Sequence, residues 1–408
     1  MRKKELKQNS FLNGAFVATM GIVITKVLGM LYVIPFYAII GEQGGALYGY
    51  AYTIYLLFQS LSCAGIPNAI SKIISEYQTL GYSKAKEKAF KIGRRLAVFM
   101  GIFVFIILFL FAPIIAKAII GDLTGGNTLS DVTYVIRVIA TAILVVPILS
   151  IYRGYLEGHK FITPTAISQV VEQVARIVVI IAGSYAALNV FHLSLTNAVG
   201  VATFGATAGA LIGYLYLLDK VFKHKKEINN ITEVKDEPVI STKEILGKIF
   251  FYALPFIMID VFKSAYNFVD MTTLVKTLVH SAGYTTVAAE NSMSVISTWG
   301  NKLNMIIVSI STGIIISLIP NLTSSSVKGD KKDVHHKINQ TLQILLFLSV
   351  PMTIGLSFLS QPVWDVFYGS KSAVGAEIMA YYIFVALIIS TYTALVSIVQ
   401  VLKYYIEV

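Results

Sequence analysis

Long uncharged runs, each about the length of a membrane-crossing helix, alternate along this chain with short polar stretches rich in lysine and arginine. Apolar runs at 11–40, 46–70, 96–116, 132–152, 164–188, 194–218, 249–275, 286–320, 340–360 and 377–402 predict ten helical spans. The runs are continuous and lack the strict alternation of barrel strands, which argues against an outer-membrane barrel. Pro35, Pro147, Pro255 and Pro351 fall inside runs and predict bends where a backbone carbonyl is freed.

The first run, Phe11–Ile40, carries one formal charge, Lys26, near its midpoint. A helix of that length rises about 45 Å, so Lys26 falls near the hydrocarbon centre of a bilayer. A bare lysine there costs roughly 2.5–3.5 kcal/mol on insertion scales. Lys26 therefore has to face protein, water or a negative partner. The basic stretch Met1–Ser10 precedes a span too long for a cleaved leader, so the span is expected to be retained.

The polar stretches set the orientation. The basic residues of 1–10, 72–95, 153–160, 220–248, 328–337 and Lys403 lie on one side and number 25 of the 33. Lys117, Lys276 and Lys371 lie on the other, and five more sit inside spans. By the positive-inside rule the N-terminus is cytoplasmic. Composition adds little beyond agreement: the chain is 56% hydrophobic and only 13% charged, with a mean hydropathy of +0.72, against about 25% charged in soluble domains. The loop asymmetry accounts for most of the net charge of +11, and nucleic-acid binding has no other support. A single cysteine, Cys63, excludes an intramolecular disulfide and any cysteine-rich metal site.

A polar, mixed-charge loop at 219–247 divides six spans (1–218) from four (248–408). Ile66-Pro67-Asn68 at the end of the second run reappears as Ile319-Pro320-Asn321 at the end of the eighth. After each come a lysine-rich stretch, an apolar run, a proline (Pro113, Pro362) and a glycine (Gly121, Gly369). The reading is a parallel repeat of two lobes about an axis along the membrane normal, a known transporter architecture. The second lobe stops after its fourth span, so the chain is expected to be a truncated product or one part of a longer reading frame.

No phosphate loop, HExxH pair or cysteine–histidine cluster is present, so neither an enzyme, a metal nor a cofactor is expected. The six histidines, His159 among them, read mainly as loop residues. Ionisable groups within spans are functional candidates by default. The seventh run holds Asp260, Lys263, Asn267 and Asp270, whose offsets of 0, 3, 7 and 10 put them on one helical face. The eighth carries Glu290, Ser294, Ser297, Asn301, Ser309 and Thr312, with Lys302 beside them. Two such stripes fit the lining of a wet cavity; the alternative for the seventh is pairing of Asp260 with Lys263. Under the repeat, Lys26 is the counterpart of the Lys263 region. Lysines from two lobes would make a positive cavity suited to a phosphate-bearing solute. The alternative for Lys26 is a buried pair with a carboxylate. In the fifth run, Gln169, Glu172, Gln173 and Arg176 read as a structural polar clamp. Glu172 and Arg176 pair at i, i+4, and Arg137 of the fourth run is a candidate second partner.

The segments YRGYLEGHKFITPTAISQVVEQVAR (152–176), AGIPNAISKIISEY (64–77) and ITKVLGMLYVIPF (24–36) resemble the stage V sporulation protein B group of polysaccharide transporters. That group belongs to the multidrug/oligosaccharidyl-lipid/polysaccharide flippase superfamily, with MurJ-type lipid II flippases as relatives. The resemblance implies an all-α polytopic membrane protein of the superfamily's two-lobed, MATE-like fold, with about ten of an expected twelve to fourteen spans present. It also implies alternating-access export of undecaprenyl-pyrophosphate-linked glycans through a cationic cavity lined by spans one, two, seven and eight. Lys26 in Thr25-Lys26-Val27-Leu28-Gly29 takes the place of the arginine of the MurJ-type motif. The arginine–aspartate pair that follows there is Tyr32 and Val33 here, and the essential arginine of span eight falls near Asn301 and Lys302.

Three functions are therefore compared. The first is a flippase for a lipid-linked glycan, with lysines as point charges on a diphosphate; its partners are that lipid and the membrane. The second is a cation-coupled multidrug exporter, for which Asp260 and Asp270 would be the coupling carboxylates; Lys26, Lys263 and Lys302 argue against it. The third is a non-transporting scaffold of cell-wall or spore-coat assembly.

Overall fold

The structure, a computed structural model, describes residues 8, 11–63, 65–228, 234, 237–309, 322, 331–369 and 373–401, with the backbone alone at 11, 12, 15, 226, 255, 263, 373, 400 and 401. Among the described residues every regular element is helical. Six helices or helix pairs are long and apolar enough to cross a membrane, or up to eight if each of two bent pairs counts as one span. The chain is a multi-pass membrane protein. The first two predicted runs share one bent pair, and the eighth extends beyond the described residues.

The chain divides into two compact units. The first comprises Met1–Leu28 and Ile39–Glu290, the second Gly29–Ala38 and Asn291–Val408. In chain order the helices are α1 (Phe11–Leu31), α2 (Val33–Cys63), α3 (Ile66–Leu80), α4 (Ser83–Ile120), α5 (Leu129–Ala140), α6 (Ala142–Gly158), α7 (Ile162–Val178) and α8 (Leu195–Lys223). They continue with α9 (Lys225–Ile228), α10 (Thr242–Ala282), α11 (Thr286–Ser294), α12 (Lys331–Phe358), α13 (Ser360–Tyr368) and α14 (Ala373–Val401). Wider π-helical turns extend α7 at Val179–Gly183 and α11 at Val295–Trp299.

Helix α4 shows how the first unit is built for lipid. Its buried line is Ala97, Gly101, Val104, Leu108, Ala112 and Ala116, spaced three or four residues apart. Its opposite face exposes Phe99, Phe103, Leu110 and Ile114. Small residues inside and large apolar ones outside let helices approach closely where hydrophobicity alone gives no drive to associate. Helix α3 is the reverse. Ile66, Ala69, Ile70, Ile73, Ile74 and Tyr77 are buried, while Asn68, Ser71, Lys72, Ser75 and Glu76 line an open cleft of about 680 Å³ with Glu157.

Ile66-Pro67-Asn68 opens α3; it does not close the preceding span. Gly65 breaks the chain at φ 70°, and Pro67 sits in the first turn of the new helix, where its missing N–H is no loss. Its proposed echo at Ile319–Asn321 lies outside the described residues. The polar connection after α8 is also more ordered than a free loop. Lys223 ends α8, α9 follows, and Glu237 accepts the backbone N–H of Lys84 (2.9 Å) and Ala85 (2.6 Å) at the start of α4. Lys88 donates to Ile240 O (2.7 Å) and Lys248 pairs with Glu76 (2.8 Å). A carboxylate at a helix N-terminus and charges at fixed partners hold this connection to α3 and α4. Helix α10 then bends by 41° between Leu254 and Phe256, at Pro255, as the sequence predicts.

His159, read from sequence as a loop residue, is buried at the end of α6. It is 1% exposed, with Nδ1 donating to Tyr155 O (2.8 Å) and its ring 4.5 Å from that of Tyr155. The chain turns there because Lys160 adopts φ 64°, and the turn carries the imidazole back over the end of α6.

Candidate functional site

In the first unit, α1 carries Lys26 among apolar neighbours and has no acidic residue in its first turn. Val23, Ile24, Val27 and Leu31 are exposed, whereas Lys26 is half-buried. One turn of helix thus presents a lipid-compatible surface and a partly sheltered ammonium. Thr25 Oγ1 donates to Ile22 O (2.8 Å), which satisfies the adjacent hydroxyl.

Helix α10 carries three described side chains of the stripe. Asp260 and Asn267 are exposed and Asp270 is half-buried, while Ala253, Ser264, Met271 and Val275 are buried. Ser264 Oγ lies 3.2 Å from Ser60 Oγ of α2. Asp260 and Asn267 sit one helical turn from Ser264, at the margin of the packed side, and Asp270 lies further round the helix. The side chain of Lys263 lies outside the described residues, and so does the proposed pairing with Asp260.

In the second unit, Lys302 follows the π-helical turn of α11, in the helical residues 300–309. Its ammonium sits 5.6 Å from the centre of the Tyr32 ring, within range of a cation–π attraction. Tyr32 is the first of a chain of rings. Tyr32–Phe36 (6.0 Å), Phe36–Trp299 (5.8 Å), Tyr37–Trp299 (5.0 Å) and Tyr37–Tyr368 (4.9 Å) follow in contact. Tyr368 hydroxyl donates to Trp299 O (2.9 Å), and Trp299 is fully buried. This cluster anchors the turn that carries Asn301, which is exposed, and Lys302, which is half-buried. The sequence reading missed the rings as supports because aromatic residues in a span read first as lipid contacts.

The polar clamp is present, with a different second partner. Glu172 of α7 accepts from Arg176 on its own helix and from Arg153 Nη2 of α6 (2.8 Å). Arg153 Nε also donates to Ser168 Oγ (3.0 Å), and Arg176 Nη1 to the Tyr52 hydroxyl (3.1 Å). The three charged side chains are only 14–17% exposed. Arg137 lies elsewhere: its Nε donates to Phe109 O (3.3 Å) and its guanidinium covers the Phe109 ring at 5.1 Å. The helix break at Thr141 separates α5 from α6, so the two arginines serve different neighbours. Gln169 and Gln173 are both half-buried on α7. Gly209 of α8 makes the clamp possible, because a Cβ there would fall 2.6 Å from Glu172 O and 3.0 Å from Arg176 Cβ.

Residues 11–326 match the family described as polysaccharide biosynthesis protein. The chain belongs to the polysaccharide biosynthesis protein family. It is 37% identical over 399 residues to "Lipid II flippase MurJ" of Bacillus subtilis (strain 168), covering 96% of this chain and 73% of that protein. "Stage V sporulation protein B" of the same organism is 25% identical over 377 residues, 92% of this chain and 70% of that one. The resemblance read from 24–36, 64–77 and 152–176 is thereby borne out. Two solved structures share the fold of this family member. "Lipid II flippase MurJ, inward closed conformation" superposes with a TM-score of 0.69 at 15% identity, covering 95% of this chain and 76% of that one. An inward-facing multidrug resistance MATE family transporter of the MOP superfamily does so at 0.69 and 14%, covering 95% and 84%. The first of these relatives is a flippase by name, and the fold is the all-helical, MurJ- and MATE-like one that the sequence predicts.

Proposed function

We propose that this chain is a flippase for lipid-linked glycan precursors of the lipid II kind, working in the cytoplasmic membrane with its N-terminus inside. The observation that carries the reading is the 37% identity to a lipid II flippase along 96% of the chain. The diphosphate of an undecaprenyl-linked glycan needs fixed cations that hold it loosely enough to release it. Lys26, Lys263 and Lys302, with Asn301 beside the last, are proposed to supply them as point charges. The prenyl tail stays in lipid while the two lobes, 1–218 and 248–408 joined through 219–247, rock to expose the head group to each side. The Arg153–Glu172–Arg176 set keeps the first lobe rigid during that motion, and no bond in the substrate is made or broken. Asp260 and Asp270 are the proposed ion-coupling carboxylates of α10.

A second reading, a cation-coupled multidrug exporter, is favoured by the equal fold likeness to a MATE transporter and by the exposure of Asp260. The intramembrane lysines oppose it, since they would repel a cationic drug. The deciding experiment is complementation of a strain depleted of its lipid II flippase, using this chain and a form extended to the length of its relatives. Rescue that Lys26→Ala abolishes, with the protein still in the membrane, supports the flippase reading. Rescue untouched by that change removes Lys26 from the mechanism. Failure of both forms to rescue, with drug efflux present, favours the exporter.

A further inference from the structure

The most deeply buried carboxylate in α10 or α11 is neither of the two just named. Glu290 of α11 is 1% exposed, and it is held by hydrogen-bond donors. Its Oε2 accepts the backbone N–H of Asn127 (2.9 Å) and the Asn127 side-chain amide (2.9 Å). The Tyr50 hydroxyl of α2 adds a further hydrogen bond. The same Asn127 amide also donates to Gln43 O of α2 (3.3 Å). Gly126 lets the chain wrap the carboxylate, since a Cβ there would fall 2.5 Å from Oε2. One side chain thus ties the connection between α4 and α5, at the end of α4 that carries the exposed Lys117 and opposite its N-terminal basic cluster, to α2 and α11.

No basic group offsets this charge among the described residues. On α5 the facing group is another carboxylate, Asp131, which takes its own hydrogen bonds from Thr128 and Thr196. On α2 it is Tyr50, itself 1% exposed. The lysine of α10 at this end, Lys276, donates to Ala118 O, and His280 is exposed. The tie therefore depends on the ionised form of one group. Hydrogen bonds to a carboxylate are about twice as strong as those to a neutral carbonyl. A proton on Oε2 would point at two N–H donors and displace them. A proton on Oε1 would leave Oε2 an ordinary neutral acceptor. Either way the tie weakens.

We infer that Glu290 is a proton-binding site whose protonation releases the 121–128 connection from α2 and α11. This device operates whatever solute the protein carries. The test is hydrogen–deuterium exchange of the full chain in lipid nanodiscs at pH 8 and pH 5, each rate corrected for its unstructured-chain value. In the wild type, protection of the Asn127 amide falls about tenfold or more at pH 5, the loss of one charge-assisted hydrogen bond. Glu290→Gln shows the low value at both pH values, and Asp131→Asn keeps the step. Equal protection at both pH values overturns the proposal, as does a step that survives in Glu290→Gln. Should Glu290→Gln lose wild-type protection in α6 and α8, Tyr50→Phe gives an independent reading. Removing a donor to the carboxylate must move the step to higher pH, and an unmoved midpoint overturns the proposal.

Discussion

Replacing Glu172 by glutamine tests whether the clamp in the first unit is structural. The change keeps the shape of the side chain and removes the charge that two guanidiniums share. Arg153 and Arg176 would then face each other at roughly 5 Å, a repulsion of about 3 kcal/mol at an effective dielectric near 20. Breaking a buried ion pair from one side costs about 3–5 kcal/mol in general, and 14% exposure of Glu172 places this pair in that class. The glutamine oxygen still accepts one hydrogen bond, so a loss of about 3 kcal/mol is expected. Equilibrium unfolding in mixed micelles measures it. Arg153→Gln in the same chain should restore part of the loss, with a coupling of about 1.5 kcal/mol or more in the double-mutant cycle. A Glu172→Gln protein as stable as wild type would refute the structural reading, all the more if transport were lost at unchanged stability.

Three further outcomes follow. Burial holds the His159 imidazole well below its ordinary value of 6.5, at about 4, with Lys86 adding repulsion. The neutral ring therefore contributes stability that is fully present above pH 6.5 and is lost as pH falls to about 4. The difference amounts to about 3 kcal/mol, and His159→Gln should abolish that part of the pH profile of unfolding. Glu237→Ala should free the N-terminus of α4 at a cost of about 1 kcal/mol, read as faster limited proteolysis within 224–241. Tyr32→Leu should weaken binding of a lipid diphosphate by about threefold to tenfold, by removing a cation–π contact of about 0.5–1 kcal/mol and the ring that positions Lys302.

What the sequence made legible was whatever depends on one helix at a time. The bend at Pro255 and the Glu172–Arg176 pair follow from residues of a single element, and each is found in the structure. What it hid depends on pairing between elements distant in the chain. Arg153 rather than Arg137 completes the clamp because α6 and α7 pack together around Ser168, a contact that no periodicity announces. The carboxylate of Glu290 read as one member of a polar stripe, since nothing in the sequence links it to Asn127. Pro67 looked like the end of a span because the apolar run 46–70 gives way to polar residues there, and only the φ of Gly65 shows that a new helix has begun. His159 read as a loop residue, although the turn at Lys160 folds the ring inward.

The central claim is transport of a lipid diphosphate, and its most direct measurement is flipping in proteoliposomes. Fluorescent lipid II is placed in both leaflets with the chain reconstituted, and an impermeant quencher or hydrolase reads the fraction reachable from outside. Flipping predicts that this fraction rises from about one half towards completion with the wild-type chain and stays near one half with Lys26→Ala. A fraction near one half for the folded wild-type chain, or equal acceleration by the Lys26→Ala variant, would contradict the account.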